Sequence, residues 1–310
     1  MFHPVYLETL QEGGFPGKVR DAREMLKQCR VCPRQCGVNR LQGETGFCET
    51  GDAAMVSSAN PHFGEEAPLV GSGGSGTIFF TSCNLKCIFC QNYEISHLME
   101  GRELDDASLA EVMLQLQNMG CHNINFVTPS HFVPHAIAAV HVAAKNGLRV
   151  PLVYNTGGYD SVETLRLLEG IVDIYMPDLK CMDSAISDAL MAAPDYPDVV
   201  CAAIKEMHRQ VGDLQTDERG IATRGLLVRH LVMPHGLAGT RDAMRFLKKE
   251  VSPNTYVNIM NQYRPCGRAS ERPDINRSVN REEYALALEI AREEGITRLD
   301  ERAGPRLRFF

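Results

Sequence analysis

Residues 76–92, GTIFFTSCNLKCIFCQN, carry the reading on which the fold turns. GTIFFT (76–81) is apolar and rich in β-branched and aromatic side chains, the composition of a buried strand. TSCNLKCIFCQN follows at once and sets Cys83, Cys87 and Cys90 in a C-x3-C-x2-C spacing. In parallel α/β folds the loops at the carboxyl ends of strands are where ligands bind. Structural zinc sites and ordinary iron–sulfur clusters take four protein ligands. Three cysteines on a [4Fe–4S] cube leave one iron open to a substrate-like ligand. Two other readings of the spacing stand beside it: a zinc site completed elsewhere, for example by His97, and a reactive Cys87–Cys90 dithiol. Asn84 and Lys86 in the same loop are expected to solvate and favour the thiolates.

Downstream, strand-like and helix-like segments alternate. Helices are expected over 104–120, 131–147, 161–170, 197–212, 237–251 and 281–295, and strands over 123–128, 150–155, 172–179, 225–233 and 256–260. Asp106 or Ser108 is the expected cap of the first helix, and Gly120, Gly147 and Gly295 are stops. With 76–81 this makes six strands separated by amphipathic helices, the signature of a parallel sheet with right-handed crossovers. Six units are too few for a closed eight-fold barrel, and a partial barrel or an open doubly wound sheet both satisfy the pattern. Residues 1–75 match regular structure poorly. Gly71, Gly73 and Gly76 formally satisfy G-x-G-x-x-G, but the segment precedes a strand where a dinucleotide fingerprint follows one, so it reads as a turn.

The 310 residues carry 32 basic and 39 acidic side chains, a net charge of −7, which argues against nucleic acid or an anionic membrane held by bulk charge. No apolar run approaches the ~18 residues of a membrane span. The start, MFHPVYLETLQEGG, shows no secretory signal, and the eleven cysteines then point to a reducing cytoplasm, where clustered thiols bind metal or do redox work. A second group, Cys29, Cys32, Cys36 and Cys48, has the spacing C-x2-C-x3-C-x11-C. Four thiols close a tetrahedral zinc site or hold an auxiliary iron–sulfur cluster, and either metal stabilises a segment too poor in apolar residues to fold alone. Cys121, Cys181, Cys201 and Cys266 are isolated; Cys201 reads as core, and Cys181 is a candidate for facing the cavity. His131 and His135, four apart, read as helix-start histidines, His131 as a further cavity candidate.

CNLKCIFC resembles the signature of the radical S-adenosylmethionine (SAM) superfamily, including Phe89 immediately before the third cysteine. CRVCPRQCGVN, GSGGSGTIFFTSCNLKCIFCQNYEIS, NINFVTPSH, YNTGGYD and MPDLK look like the branch of pyruvate formate-lyase activating enzyme homologues of PflX type, from about residue 29 onward. The resemblance implies an α/β partial (β/α)6 TIM-like barrel over 76–310, with a Cys-rich, metal-binding N-terminal extension over 1–75. It implies that Cys83, Cys87 and Cys90 hold a [4Fe–4S] cluster, that SAM chelates the open iron, and that one electron splits SAM to a 5′-deoxyadenosyl radical. That radical takes a hydrogen atom from a substrate.

Other positions carry across one at a time. Phe89 is implied near the adenine, with core packing as its alternative. The superfamily's Gly-Gly-Glu-like segment is replaced by Thr128, Pro129, Ser130 and His131, so Thr128 or Ser130 hydroxyls and backbone carbonyls stand in for the acid. Asn155 and Thr156 match an Asp-Thr pair, and Asp178 and Lys180 match an Asp-Leu-Lys that in the activating enzyme makes a monovalent-cation site. An ion pair at a strand end is the alternative for Asp178–Lys180. Arg229 is implied beside the SAM carboxylate or ribose, and Asn261 and Gln262 are weaker polar candidates. The implied partners are a one-electron donor such as flavodoxin or ferredoxin and a substrate that is a protein glycine, another peptide or a small molecule. A different class of function is a non-catalytic iron–sulfur or zinc protein that carries electrons or acts as a scaffold.

Overall fold

The computed structural model describes residues 2–300. The chain opens with two helices, α1 (Val5–Gln11) and α2 (Phe15–Glu24), and after an irregular stretch enters strand β1 (Ala54–His62). A short helix, α3 (Ala67–Val70), leads into β2 (Ser75–Phe80), the strand that carries the cysteine loop. The expectation of little regular structure before residue 76 is therefore corrected: the apolar residues of 1–75 are sparse in sequence but land on one face. Tyr6, Leu7, Phe15, Ala22, Met25 and Leu26 are buried in the main core, and Phe15 stacks on His141 with ring centres 4.9 Å apart.

Beyond β2 come α4 (Tyr93–Ser96), β3 (Arg102–Leu104), α5 (Asp106–Asn118), β4 (Ile124–Val127), α6 (Val133–Lys145), β5 (Leu152–Thr156), α7 (Val162–Leu167) and β6 (Ile174–Pro177). These are followed by α8 (Ser184–Met191), α9 (Tyr196–Val211), β7 (Gln215–Thr216), β8 (Ala222–Leu231), α10 (Thr240–Phe246), β9 (Tyr256–Met260), α11 (Arg281–Glu293) and β10 (Arg298–Leu299). The six expected strands are β2, β4, β5, β6, β8 and β9, all paired in parallel in that order, with β10 added beside β9. At the other edge β1 pairs antiparallel with β2 and with β3. The sheet is an open (β/α) sheet whose path ends at β3 and β10.

Local chemistry sets the ends of the elements. The cap of α5 is Asp105, one residue before the expected position, and its carboxylate accepts from the Ser108 amide at 2.7 Å. Asn280 and Glu283 form a capping box on α11. The helix expected over 237–251 starts at Thr240, and its last turn, Leu247–Val251, opens to π-helical spacing. Helix α8 was outside the sequence expectation. Gly73 belongs to no phosphate loop: a Cβ there would sit 2.0 Å from the Gly120 carbonyl oxygen, so the residue is glycine because two backbones touch.

Alternation along the strands separates two apolar layers. Ile78, Phe126, Tyr154, Tyr175 and Val228 meet the helices. Val153, Ile174, Met176 and Leu227 face the other side and enclose Leu69 of α3, which stops the inner face from below. Burying Leu69 there contributes roughly 2 kcal/mol. The carboxyl ends of the strands are left for polar groups. Among the described residues no helix is long and apolar enough to cross a membrane.

Candidate functional site

A cavity of about 220 Å³ opens at the carboxyl ends of the parallel strands, and Cys83, Cys87, Cys90 and Phe89 line one part of it. Cys83 follows β2 through Thr81 and Ser82, and Ser82 and Lys86 hold left-handed φ values of 63° and 48°. Cys83 Sγ accepts from the Leu85 amide at 3.4 Å, and Cys90 Sγ from the Ser96 hydroxyl at 3.1 Å. Burial pushes the Cys83 and Cys87 thiols up. The expectation that Asn84 and Lys86 solvate the thiolates is corrected: Asn84 is buried and donates to the Tyr159 carbonyl at 2.7 Å, and Lys86 pairs with Glu49 at 2.6 Å. Raised thiols are poor free nucleophiles, which disfavours the dithiol reading, and they ionise when a metal takes the proton's place.

Among the described residues no three His, Cys, Asp or Glu side chains stand together as the first shell of a single ion. His97 does not line the cavity; its ring stacks on Tyr93 at 4.1 Å and its Nδ1 meets Ser96 Oγ at 2.8 Å. A zinc site completed by His97 is thereby corrected. Three soft sulfurs on one cavity wall, two of them with N–H or O–H donors aimed at them, fit a cluster of the [4Fe–4S] kind, whose sulfurs stand farther apart than the ligands of one ion.

The rest of the cavity comes from the next strands. Thr128 follows β4 with φ 59° and its amide donates to the Asn155 carbonyl at 2.8 Å. Asn155 and Thr156 end β5, and Asp178 and Lys180 follow β6. Arg229 of β8 donates to Asp178 Oδ1 at 2.7 Å and to Asn155 Oδ1 at 2.7 Å. Lys180 Nζ lies 2.5 Å from Asp178 Oδ2. Burial pushes Asp178 up, but Arg229 and Lys180 outweigh it and hold the carboxyl below its usual range. Both oxygens of Asp178 are thus engaged by side-chain cations. The monovalent-cation site is corrected on this ground: an added cation there would meet two positive neighbours and no free charge.

Several expected residues lie off the cavity wall. Ser130 stands behind Thr156, its Oγ 3.0 Å from Thr156 Oγ1, in a buried network where Thr156 and Tyr154 both donate to Asp160. His131 is buried with Nε2 2.9 Å from the Thr81 carbonyl, and Cys181 bonds to Asp183 and Leu237, so neither lines the cavity. His135 Nε2 stands 3.4 Å from Asp52. Gln262 lines the cavity, whereas Asn261 does not. Phe89 has both its alternatives at once: it lines the cavity and packs 6.0 Å from Tyr263.

Sequence reading missed three supports. The Tyr196 hydroxyl lies 2.9 Å from the carbonyls of Gly157 and Asp178 and accepts from the Lys180 amide at 3.0 Å. Gly158 has φ 82°, and a Cβ on it would sit 2.4 Å from the Asp178 carbonyl; the repeated glycine of YNTGGYD was the available signal. Glu65 lies 3.9 Å from Arg229, and burial together with Glu66 pushes its carboxyl up to about 7.

Cys29, Cys32 and Cys48 are buried and Cys36 is half-buried. Cys36 Sγ accepts from the Phe47 amide at 3.3 Å. Burial pushes Cys32 up to about 12, with Cys48 and Cys29 close enough to add to the effect. Four thiols, three of them withdrawn from water, are soft ligands of the number a cluster takes, and like the triplet they do not stand together as the first shell of a single ion. This segment touches the cysteine loop directly: Ser82 Oγ donates to the Cys48 carbonyl at 2.5 Å.

Residues 77–216 match the Radical SAM superfamily. Over 281 residues the chain is 34% identical to the uncharacterized protein MJ0674 of Methanocaldococcus jannaschii, covering 88% of this chain and 77% of that protein. The uncharacterized protein MJ0808 of the same organism matches at 26% over 176 residues, 49% of each chain. Among solved structures, a radical SAM methyltransferase from Sphaerobacter thermophilus is similar with a TM-score of 0.47 and 16% identity, covering 74% of this chain and 69% of that one. The thiol triplet that follows the first parallel strand and the match running through the next three crossovers have one account: the chain belongs to the radical SAM superfamily.

Proposed function

We propose that the protein cleaves SAM reductively and directs the resulting radical at a hydrogen atom of its substrate. The observation that carries the reading is the shared cavity: Cys83, Cys87 and Cys90 open onto the same space as Asn155, Asp178, Lys180 and Arg229. The three cysteines would hold a [4Fe–4S] cluster, which when bound supplies the electron that splits SAM into methionine and a 5′-deoxyadenosyl radical. Arg229 and Lys180, their charges only partly met by Asp178, would orient the SAM carboxylate. Thr128 and Thr156 would face its amino group, with Ser130 acting through Thr156, and Phe89 would pack on the adenine. Buried walls around these groups keep water and stray hydrogen donors from the reacting centre.

The finer reading is an activating enzyme of the pyruvate formate-lyase type, with a protein glycine as target and flavodoxin or ferredoxin as donor in the cytoplasm. It rests on the resemblance of CNLKCIFC, YNTGGYD and MPDLK. Residues 1–75 would form an extension in which Cys29, Cys32, Cys36 and Cys48 hold zinc or an auxiliary cluster. Residues 76–310 would form the catalytic part, of which 301–310 lie outside the described residues. The test is anaerobic reconstitution with iron and sulfide, followed by reduction in the presence of SAM. Release of 5′-deoxyadenosine, abolished by Cys87→Ala, is the expected result. A cluster without SAM turnover assigns an electron carrier or scaffold in place of the enzyme.

A further inference from the structure

Lys180 and Cys87 line the same cavity, although one follows β6 and the other lies in the loop after β2. Gly157 shows how close the two segments pass: a Cβ there would stand 2.9 Å from Leu85 Cδ1 and 3.6 Å from Lys180 Cε. Leu85 lies midway between Cys83 and Cys87. The lysine stem and the cysteine loop therefore lean on one glycine. Both ends of Lys180 are fixed: its amide donates to the Tyr196 hydroxyl at 3.0 Å, and its Nζ lies 2.5 Å from Asp178 Oδ2.

The lysine keeps its charge in this place. Burial works against the ammonium, but Asp178 and Cys87 outweigh it and hold its pKa above the ordinary lysine value. The influence on the triplet has two signs. Burial pushes the Cys87 thiol up; Lys180 opposes that push, and Asp178 adds to it. A positive charge near the sulfurs favours whichever state of the site carries more negative charge, and a carboxylate does the reverse. Reduction of an iron–sulfur cluster is such a change: one electron passes to it from a one-electron donor, no bond is made or broken, and the site gains one unit of negative charge. Cluster potentials follow net charge, hydrogen bonds to the sulfurs and exposure. A site withdrawn from water feels a fixed charge more strongly than an exposed one. Lys86 provides the contrast. It stands in the cysteine loop itself, yet it lies off the cavity wall and pairs with Glu49 at 2.6 Å, so its charge is met outside.

We infer that Lys180 raises the reduction potential of a cluster held by Cys83, Cys87 and Cys90, and that Asp178 limits the rise, so that this ion pair sets how readily the site takes its electron. The inference rests on the reading of the triplet as a cluster site. It does not depend on SAM cleavage.

The test uses the full chain, reconstituted anaerobically with iron and sulfide and kept free of SAM. Reduction is followed by electron paramagnetic resonance at a series of potentials set with one-electron mediators, and the signal that disappears in Cys87→Ala is assigned to the triplet. Lys180→Met is expected to lower the ratio of reduced to oxidised cluster about tenfold at a fixed potential, a shift of about 59 mV for one electron. Asp178→Asn is expected to raise that ratio. Lys180→Arg, which keeps the charge, and Lys86→Met, which removes a charge already met by Glu49, are each expected to stay within about threefold of the parent. Loosened packing or added water would move Lys180→Met and Asp178→Asn the same way, so shifts of opposite sign are not the mark of a structural role. If Asp178→Asn does not fold, the contrast of Lys180→Met with Lys180→Arg and Lys86→Met decides. Equal potentials for Lys180→Met and Lys180→Arg, shifts of one sign for Lys180→Met and Asp178→Asn, or a Lys86→Met shift as large as that of Lys180→Met each overturns the inference. Absence of a cluster signal from the triplet overturns it together with the cluster reading. Opposite shifts in a protein that releases no 5′-deoxyadenosine uphold it and overturn the catalytic proposal alone.

Discussion

Arg229 Nε meets Asp178 Oδ1 at 2.7 Å across 51 residues of sequence, joining the ends of two neighbouring parallel strands inside the cavity. The second oxygen of Asp178 belongs to Lys180. Asp178 is thus shared by two half-buried cations, Glu65 and Glu66 act on Arg229 from farther off, and both cations face the space that the thiol triplet also lines. Two cations on the cavity wall suit an anionic ligand group and disfavour a metal cation at the same spot.

Asp178→Asn should expose this sharing. It leaves the half-buried Lys180 without its ion-pair partner and Arg229 with only the more distant Glu65 and Glu66, and the expected loss is about 3 kcal/mol in urea unfolding at neutral pH. The double variant Asp178→Asn with Arg229→Gln should recover part of the loss, because the uncompensated charge goes with it. A single variant as stable as the parent would show that the pair contributes little.

Tyr196→Phe tests a support rather than a contact. The hydroxyl is the acceptor of the Lys180 amide and the donor to the turn at Gly157 and Asp178. Its removal should cost about 1–3 kcal/mol, the penalty for a buried amide left unpaired. It should also weaken SAM binding, read by equilibrium titration of the reconstituted protein. Unchanged SAM affinity beside lowered stability would restrict Tyr196 to the fold.

How much of this was open to sequence reading depends on how local each feature is. The six parallel strands and the thiol triplet were legible because each is written in consecutive residues, and β9 falls where it was expected, at Tyr256–Met260. MPDLK was legible as a site segment, with the Asp178–Lys180 ion pair as one of its two readings, but the bond from Arg229 was not, since that side chain comes from a strand 51 residues away in sequence. Helix α3 escaped notice because four residues show no periodicity, although Leu69 stops the inner face of the sheet. The histidines at 131 and 135 read as helix-start groups, His131 as a cavity candidate, and both are buried away from the cavity. Their burial comes from the N-terminal segment that covers them, with Arg40 donating to the His131 carbonyl at 2.7 Å.

Gly158→Ala should damage the site through backbone alone. The residue needs φ 82°, and its added Cβ would press on the Asp178 carbonyl at 2.4 Å. Strain and overpacking together should cost more than about 2 kcal/mol. Gly43→Ala is the control: φ is 82° and ψ 5°, ordinary left-handed backbone, and nothing lies within 4 Å of the new Cβ, so the expected cost is only about 1 kcal/mol. Equal losses at the two positions, in unfolding experiments, would remove the argument that close packing at Asp178 selects glycine.

Acid sensitivity should come from buried histidines. Burial lowers His131 to about 3 and His230 to about 4, and burial with Arg40 and Arg23 nearby lowers His135 to about 4. In the unfolded chain the same side chains take up a proton near pH 6.5. Between those limits the unfolded state binds more protons, so stability rises with pH and is lost as pH falls from about 6.5 toward 4. Each histidine that titrates only when unfolded contributes roughly 1.4 kcal/mol per pH unit in that window. His230 bonds through Nδ1 to the Leu179 carbonyl at 2.7 Å and through Nε2 to Thr240 Oγ1 at 3.0 Å, which one neutral ring satisfies. His230→Asn should therefore be less stable at pH 7.5 but show a shallower fall toward pH 4.5 in urea midpoints. Metal–thiolate sites also weaken in acid, but they do so equally in parent and variant. Parallel slopes for the two chains would mean that His230 does not stay neutral in the fold.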